Sequence, residues 1–86
     1  MAQVVIYTTD YCSFCARAKA LLRSKGVSFE EIDLSRDPGL REEILQRTGR
    51  RTVPQIFIDS LPVGGFDEIK QLDEDGELDR MLGIQP

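Results

Sequence analysis

Histidine is absent from the 86 residues, and cysteine occurs only twice. Four ligands are needed for a structural zinc ion, so the chain alone has almost no ligand set for one. Long apolar runs are also missing. Val4-Val5-Ile6-Tyr7 is brief and has no basic stretch before it, so the N-terminus is expected to be neither a signal peptide nor a membrane span. No excess of positive charge exists either, because 15 acidic side chains outnumber 11 basic ones and the net charge is −4. A nucleic-acid partner is therefore not expected. The densest basic run, Arg47, Arg50 and Arg51, suits one small anion or, equally, a solvated helix end.

What remains is an ordinary globular composition, 41% hydrophobic and 30% charged, far from that of disordered chains. At this length roughly 60% of the unfolded surface can be buried, enough for one modest core. Residues 1–86 are expected to form one domain, acting as a cytoplasmic monomer. In the cytosol ordinary thiols stay reduced, so two cysteines there point to catalysis or metal binding before a structural staple.

Val4 to Tyr7 reads as a buried strand, ended by the polar Thr8-Thr9-Asp10. A helix follows from Phe14 to Lys25, with Ala18, Leu21 and Leu22 at helical spacing and Gly26 as its stop. Val27 to Leu34 alternates loosely as a second strand. Asp37-Pro38 then supplies an N-cap and a first-turn proline for a helix striped by Leu40, Ile44 and Leu45 and closed by Gly49. The resulting βαβ unit favours parallel pairing with a right-handed crossover. Pro54 to Asp59 reads as a third strand, with Ser60 alone separating it from an antiparallel return over Leu61 to Gly64. Phe66, Ile69 and Leu72 mark a third helix, and Leu78, Met81 and Leu82 a last short amphipathic turn. The order β-α-β-α-β-β-α describes an α/β fold, a four-stranded mixed sheet with helices on both faces.

The chemistry centres on Cys12-Ser13-Phe14-Cys15 at the first strand-to-helix junction. A disulfide closing so small a ring would contribute only about 2 kcal/mol and would be reduced in the cytosol. A redox pair fits better, since C-x-x-C beside a βαβ pattern is the arrangement of thioredoxin-like motifs. At a helix N-terminus Cys12 meets unsatisfied backbone N–H groups and the positive dipole end, which favour thiolate over thiol. Cys15, one turn deeper, is expected to stay a thiol and to resolve mixed disulfides.

Three motifs in order carry a resemblance over essentially the whole chain: Tyr11-Cys12-Ser13-Phe14-Cys15, Thr52-Val53-Pro54-Gln55-Ile56-Phe57-Ile58 and Gly64-Gly65-Phe66-Asp67-Glu68. Together they resemble the bacterial dithiol glutaredoxins. The resemblance implies a thioredoxin-like fold and an enzyme reducing disulfide-bonded or glutathionylated proteins, with Cys12 and Cys15 catalytic and glutathione as reductant. It also implies a cis bond before Pro54, pairing of the Val53 backbone with the cysteine moiety of glutathione, and the γ-glutamyl end at Gly65, Phe66 and Asp67. There helix-start N–H groups would meet the carboxylate and Asp67 the ammonium. The alternative for Asp67 is a plain helix-start charge.

The chain departs from the family pattern in two places. Pro-Tyr is common between the cysteines, but here Ser13-Phe14 keeps an aromatic wall for the ligand and loses a hydroxyl. A lysine is common three residues before the first cysteine, where this chain has Thr9. Arg51, or alternatively Arg50, beside Thr52 is the candidate to replace it at the glycine carboxylate of glutathione. Serine after the first cysteine is also similar to iron–sulfur carriers, in which Cys12 of two protomers and two glutathiones would hold a [2Fe–2S] cluster. A third reading, a C-x-x-C interaction module without turnover, leaves the glutathione-facing motifs unexplained.

Overall fold

The computed structural model describes residues 2–84. Strand β1 (Val4–Thr8) leads to helix α1 (Ser13–Ser24), strand β2 (Glu30–Asp33) and helix α2 (Pro38–Thr48). Strands β3 (Gln55–Ile58) and β4 (Leu61–Gly64) follow, then helices α3 (Phe66–Glu74) and α4 (Glu77–Leu82). The sheet order is β2-β1-β3-β4, with β1 parallel to β2 and the other two pairings antiparallel.

Side-chain alternation along β1 and β3 builds a core on each face. Val4, Ile6, Ile56 and Ile58 meet Ala18 and Leu22 of α1, Ile69 of α3, and Leu78 and Leu82 of α4. Tyr7 and Phe57 point the other way and pack with Leu34, just after β2, and with Ile44 of α2. The two rings meet edge-on at 5.4 Å, and the Arg47 guanidinium caps Phe57 at 4.3 Å from its centroid. Arg47 thus closes the second core and leaves the expected basic run. Each fully buried Ile or Leu contributes about 1.5–3 kcal/mol, so the first core, holding Ile6, Leu22, Ile56, Ile69, Leu78 and Leu82, dominates.

Several boundaries differ from the sequence reading. β2 begins at Glu30 rather than Val27, because its parallel register pairs Val5 with Glu30 and β1 starts only one residue earlier. Residues 27–29 therefore have no strand to pair with. β3 ends at Ile58, and the hairpin turn is Asp59-Ser60, both at positive φ (51° and 68°), which suits the twist of a two-residue hairpin. Asp59 Oδ1 accepts the Gln3 N–H at 2.9 Å and fixes this turn to the chain entering β1. The last amphipathic turn is a separate helix, α4, capped by Gly76. Asp37 caps α2 as expected, its Oδ1 accepting the Leu40 N–H at 2.9 Å.

The register carries the site. Tyr7 opposite Gln55 puts the chain leaving β1 beside the chain entering β3, and Ile56 opposite Gly64 brings the start of α3 to the same end. All three sequence motifs meet there.

Candidate active site

Cys12 is the N-cap of α1, in extended conformation at φ −109° and ψ 106°. Its Sγ accepts the backbone N–H of Cys15 at 3.1 Å, the side-chain cap of the helix. Its thiol faces the Val53 carbonyl oxygen at 3.8 Å. Cys12 is partly exposed and Cys15 is 2% exposed; both are free thiols. Burial, aided by the hydrogen bond to Cys12, pushes the Cys15 thiol up to about 12, while the Thr9 backbone and Lys19 act against the rise. Cys12 is thus the accessible sulfur of the pair and Cys15 the buried one.

The Val53–Pro54 peptide is cis, as the family resemblance implies. Behind it, the buried Gln55 donates from Nε2 to the Thr52 carbonyl at 2.9 Å and holds the loop against β3. A groove of about 210 Å³ runs from this loop to the start of α3, lined by Phe14, Thr52, Val53, Pro54, Gly65, Phe66 and Asp67, with Arg50 and Glu68. Phe14 and Phe66 form its aromatic side, their centroids 6.3 Å apart. Arg17 lies over Phe14 at 5.4 Å.

Two residues that sequence reasoning left without a role, Gln55 behind the proline loop and Glu68 at the far end, organise the groove. Glu68 Oε1 accepts the Gly65 N–H at 2.7 Å and the Arg50 Nη1–H at 2.9 Å. These two donors, the Gly65 amide first, hold the Glu68 carboxyl below its ordinary range. The signal for Glu68 was present: a glutamate three residues after a helix cap reaches back to the cap N–H. Gln55 carried a weaker one, a lone amide inside an otherwise apolar strand.

Arg50 and Arg51 are placed differently. Arg50 lines both the groove and an adjoining cleft of about 250 Å³, whereas Arg51 lines the cleft and not the groove, with Arg41, Leu34, Ile44 and Val53. Thr9 provides no cation, and its backbone acts on Cys15 instead. Among the described residues no cluster of His, Cys, Asp and Glu is suited to hold a metal ion, and no helix is long and apolar enough to cross a membrane.

A partly exposed sulfur capping a helix, a buried thiol one turn on, and a cis-proline loop facing the first sulfur define a thiol–disulfide oxidoreductase of thioredoxin-like fold. The chain belongs to the glutaredoxin family, whose sequence model matches residues 4–63. It is 54% identical over 82 residues to Glutaredoxin 3 of Escherichia coli, covering 95% of this chain and 99% of that protein. Identity to a glutaredoxin of Pseudomonas aeruginosa is 49% over 82 residues, at 95% and 98% coverage. The solution structure of a Brucella melitensis glutaredoxin matches with a TM-score of 0.86 and 54% identity, over 95% of this chain and 89% of that one. The buckwheat glutaredoxin–glutathione complex matches at 0.89 with 33% identity, over 95% and 77%. The chain's activity is accordingly glutathione-dependent thiol–disulfide oxidoreduction.

Proposed function

We propose that Cys12 is the nucleophile and Cys15 the resolving thiol, and that glutathione lies in the groove of Phe14, Thr52, Val53, Pro54, Gly65, Phe66 and Asp67. The observation that carries this reading is Cys12 Sγ facing the carbonyl of Val53 at 3.8 Å, with Val53 itself lining a groove that ends on the start of α3. An extended tripeptide beside Val53 would gain main-chain hydrogen bonds, with its γ-glutamyl carboxylate at the N-terminus of α3 and its ammonium at Asp67. Arg51, with Arg41 in the adjoining cleft, is assigned the glycine carboxylate.

With a glutathionylated protein, Cys12 thiolate attacks the glutathione sulfur, the S–S bond breaks, and the protein leaves as thiolate. A second glutathione thiolate then attacks the bound glutathione sulfur, releasing glutathione disulfide and restoring Cys12 thiolate. With a protein disulfide, the Cys12 thiolate attacks one of its sulfurs, the S–S bond breaks and the other sulfur leaves as thiolate, so that Cys12 holds the substrate as a mixed disulfide; Cys15 then loses its proton and attacks the Cys12 sulfur. That step expels the substrate thiolate and leaves a Cys12–Cys15 disulfide for two glutathiones to reduce. Residues 1–86 act as one domain and one protomer, in the cytoplasm, where glutathione keeps such a cycle turning.

The test is turnover of a glutathione mixed disulfide by single variants. Cys12→Ser should abolish it. Cys15→Ser should retain it while losing glutathione-independent reduction of a protein disulfide. Equal loss in both variants would overturn the assignment.

A second reading rests on Ser13. It fills the first position of α1, where a proline would lack the backbone N–H. That N–H is available to a sulfur of a [2Fe–2S] cluster. Cys12 fits as one ligand, being the accessible thiol of the two; the others would be a second protomer's Cys12 and two glutathione thiolates. Anaerobic incubation with iron, sulfide and glutathione should give a coloured dimer from the parent and from Cys15→Ser, and much less from Ser13→Pro. A colourless parent removes this reading.

A further inference from the structure

Tyr11 directly precedes Cys12, and the groove does not use it. Among the described residues it is the most exposed large hydrophobic side chain, with a relative exposure of 107%, and it is not among the residues lining the groove beside Cys12. Its backbone sits at φ 58°, a region that bulky L residues rarely occupy and that persists only where neighbouring contacts over-determine it. Such contacts exist on both sides. The Asp10 N–H donates to Ser35 Oγ at 2.8 Å, and Ser35 is itself held by Asp33 Oδ1 at 2.8 Å. On the other side the Cys12 carbonyl accepts the Ala16 N–H at 3.1 Å and starts α1.

The fold thus fixes a strained loop at the reacting sulfur and turns an aromatic ring fully into solvent there. Phe14, the aromatic on the other side of Cys12, is already engaged with Phe66 and Arg17. An exposed tyrosine provides a large, stiff contact surface at low entropic cost.

We infer that Tyr11 is a specificity-determining residue that packs on the side chains flanking the target cysteine of a polypeptide substrate, favouring apolar or aromatic neighbours over glycine. This rests on the oxidoreductase reading above. It adds no chemical step: Cys12 attacks the same sulfur, and Tyr11 only places the polypeptide that leaves.

The test uses two peptides carrying one glutathionylated cysteine, flanked by Phe in one and by Gly in the other, with the intact protein and three variants. The parent should favour the Phe-flanked peptide in kcat/KM by about fivefold, the scale of one aromatic contact. Tyr11→Ala and Tyr11→Gly should both bring that ratio to about one, and Tyr11→Phe should keep it. The Gly variant relieves the positive φ, so agreement between Ala and Gly assigns the effect to the ring rather than to the backbone. A parent ratio near one, or an unchanged ratio in Tyr11→Ala, overturns the inference. No turnover of either peptide by the parent would instead overturn the oxidoreductase reading beneath it.

Discussion

The backbone N–H of Cys15 reaches the sulfur of Cys12 at 3.1 Å, while the sulfur of Cys15 itself is packed out of solvent. One helical turn therefore gives two thiols opposite environments. The first receives a donor at a helix cap, and the second loses water by burial.

This asymmetry has a pH signature in stability. Cys15 titrates at about 12 in the fold against an ordinary value of 9.0. Below that ordinary value both states are protonated, and Cys15 adds no pH dependence. Above it the unfolded chain releases the proton while the folded chain keeps it, so stability falls as pH rises toward the folded value. Between about pH 8 and about pH 10 the parent should lose about 1.4 kcal/mol more than Cys15→Ala. Urea unfolding at both values, under reducing conditions, measures the difference. Parallel losses in the two proteins would show that Cys15 does not hold its proton through this range.

The junction of β4 and α3 leaves no room for side chains. Gly64 sits at φ 113°, and a Cβ there would lie 2.7 Å from Glu68 Cγ. Gly64→Ala should therefore cost about 1–3 kcal/mol, from strain and overpacking together. At Gly65 a Cβ would lie 3.1 Å from the Pro54 carbonyl oxygen, so Gly65→Ala pushes the two sides of the groove apart. Its main effect should be a several-fold rise in KM for glutathione with a smaller loss of stability. Unfolding curves and steady-state kinetics on both variants separate the two effects.

Most of the architecture was legible because the punctuation is strong. Asp37-Pro38 and Gly49 bound α2, and the β1 and β3 apolar runs identify the sheet centre. β2 was read too long because Val27 and Phe29 continue an apolar pattern, and only pairing with β1 shows that they have no partner. Asp59-Ser60 was misread because a left-handed pair without glycine carries little signal. The approach of Cys12 to Val53 came through motif resemblance rather than through any local pattern. Its physical cause, Tyr7 opposite Gln55, is a long-range register. The same holds for Arg50 and Arg51: adjacency in sequence says nothing of which one reaches Glu68 across 18 positions.

Glu68 should report on its own contacts. Gly65 and Arg50 hold its carboxylate below the ordinary range, so its contribution is present above about pH 4.5 and is lost as pH falls through the lower folded value. Glu68→Ala should lose about 0.5–1 kcal/mol at neutral pH, the low end of a cap because the carboxylate is partly exposed. Unfolding at successive pH values should show parent and variant converging under acid. A gap that persists at low pH would assign the effect to packing.

Asp67 offers the sharpest test of where glutathione lies. It stands in the first turn of α3, next to Phe66 and inside the groove. A carboxylate there gains little from the protein beyond the helix dipole, so pairing with the ligand ammonium is the interaction that its removal should expose. Asp67→Asn keeps the size and removes the charge. It should raise KM for glutathione about tenfold, equivalent to about 1.4 kcal/mol, with kcat nearly unchanged, the pattern of lost binding common to ground and transition states. A glutathione analogue without its α-amino group closes the cycle. Parent and Asp67→Asn should handle that analogue alike, because the partner of the carboxylate is gone from both. A tenfold gap that survives with the analogue would mean that Asp67 acts on the groove itself, and that the γ-glutamyl ammonium binds elsewhere.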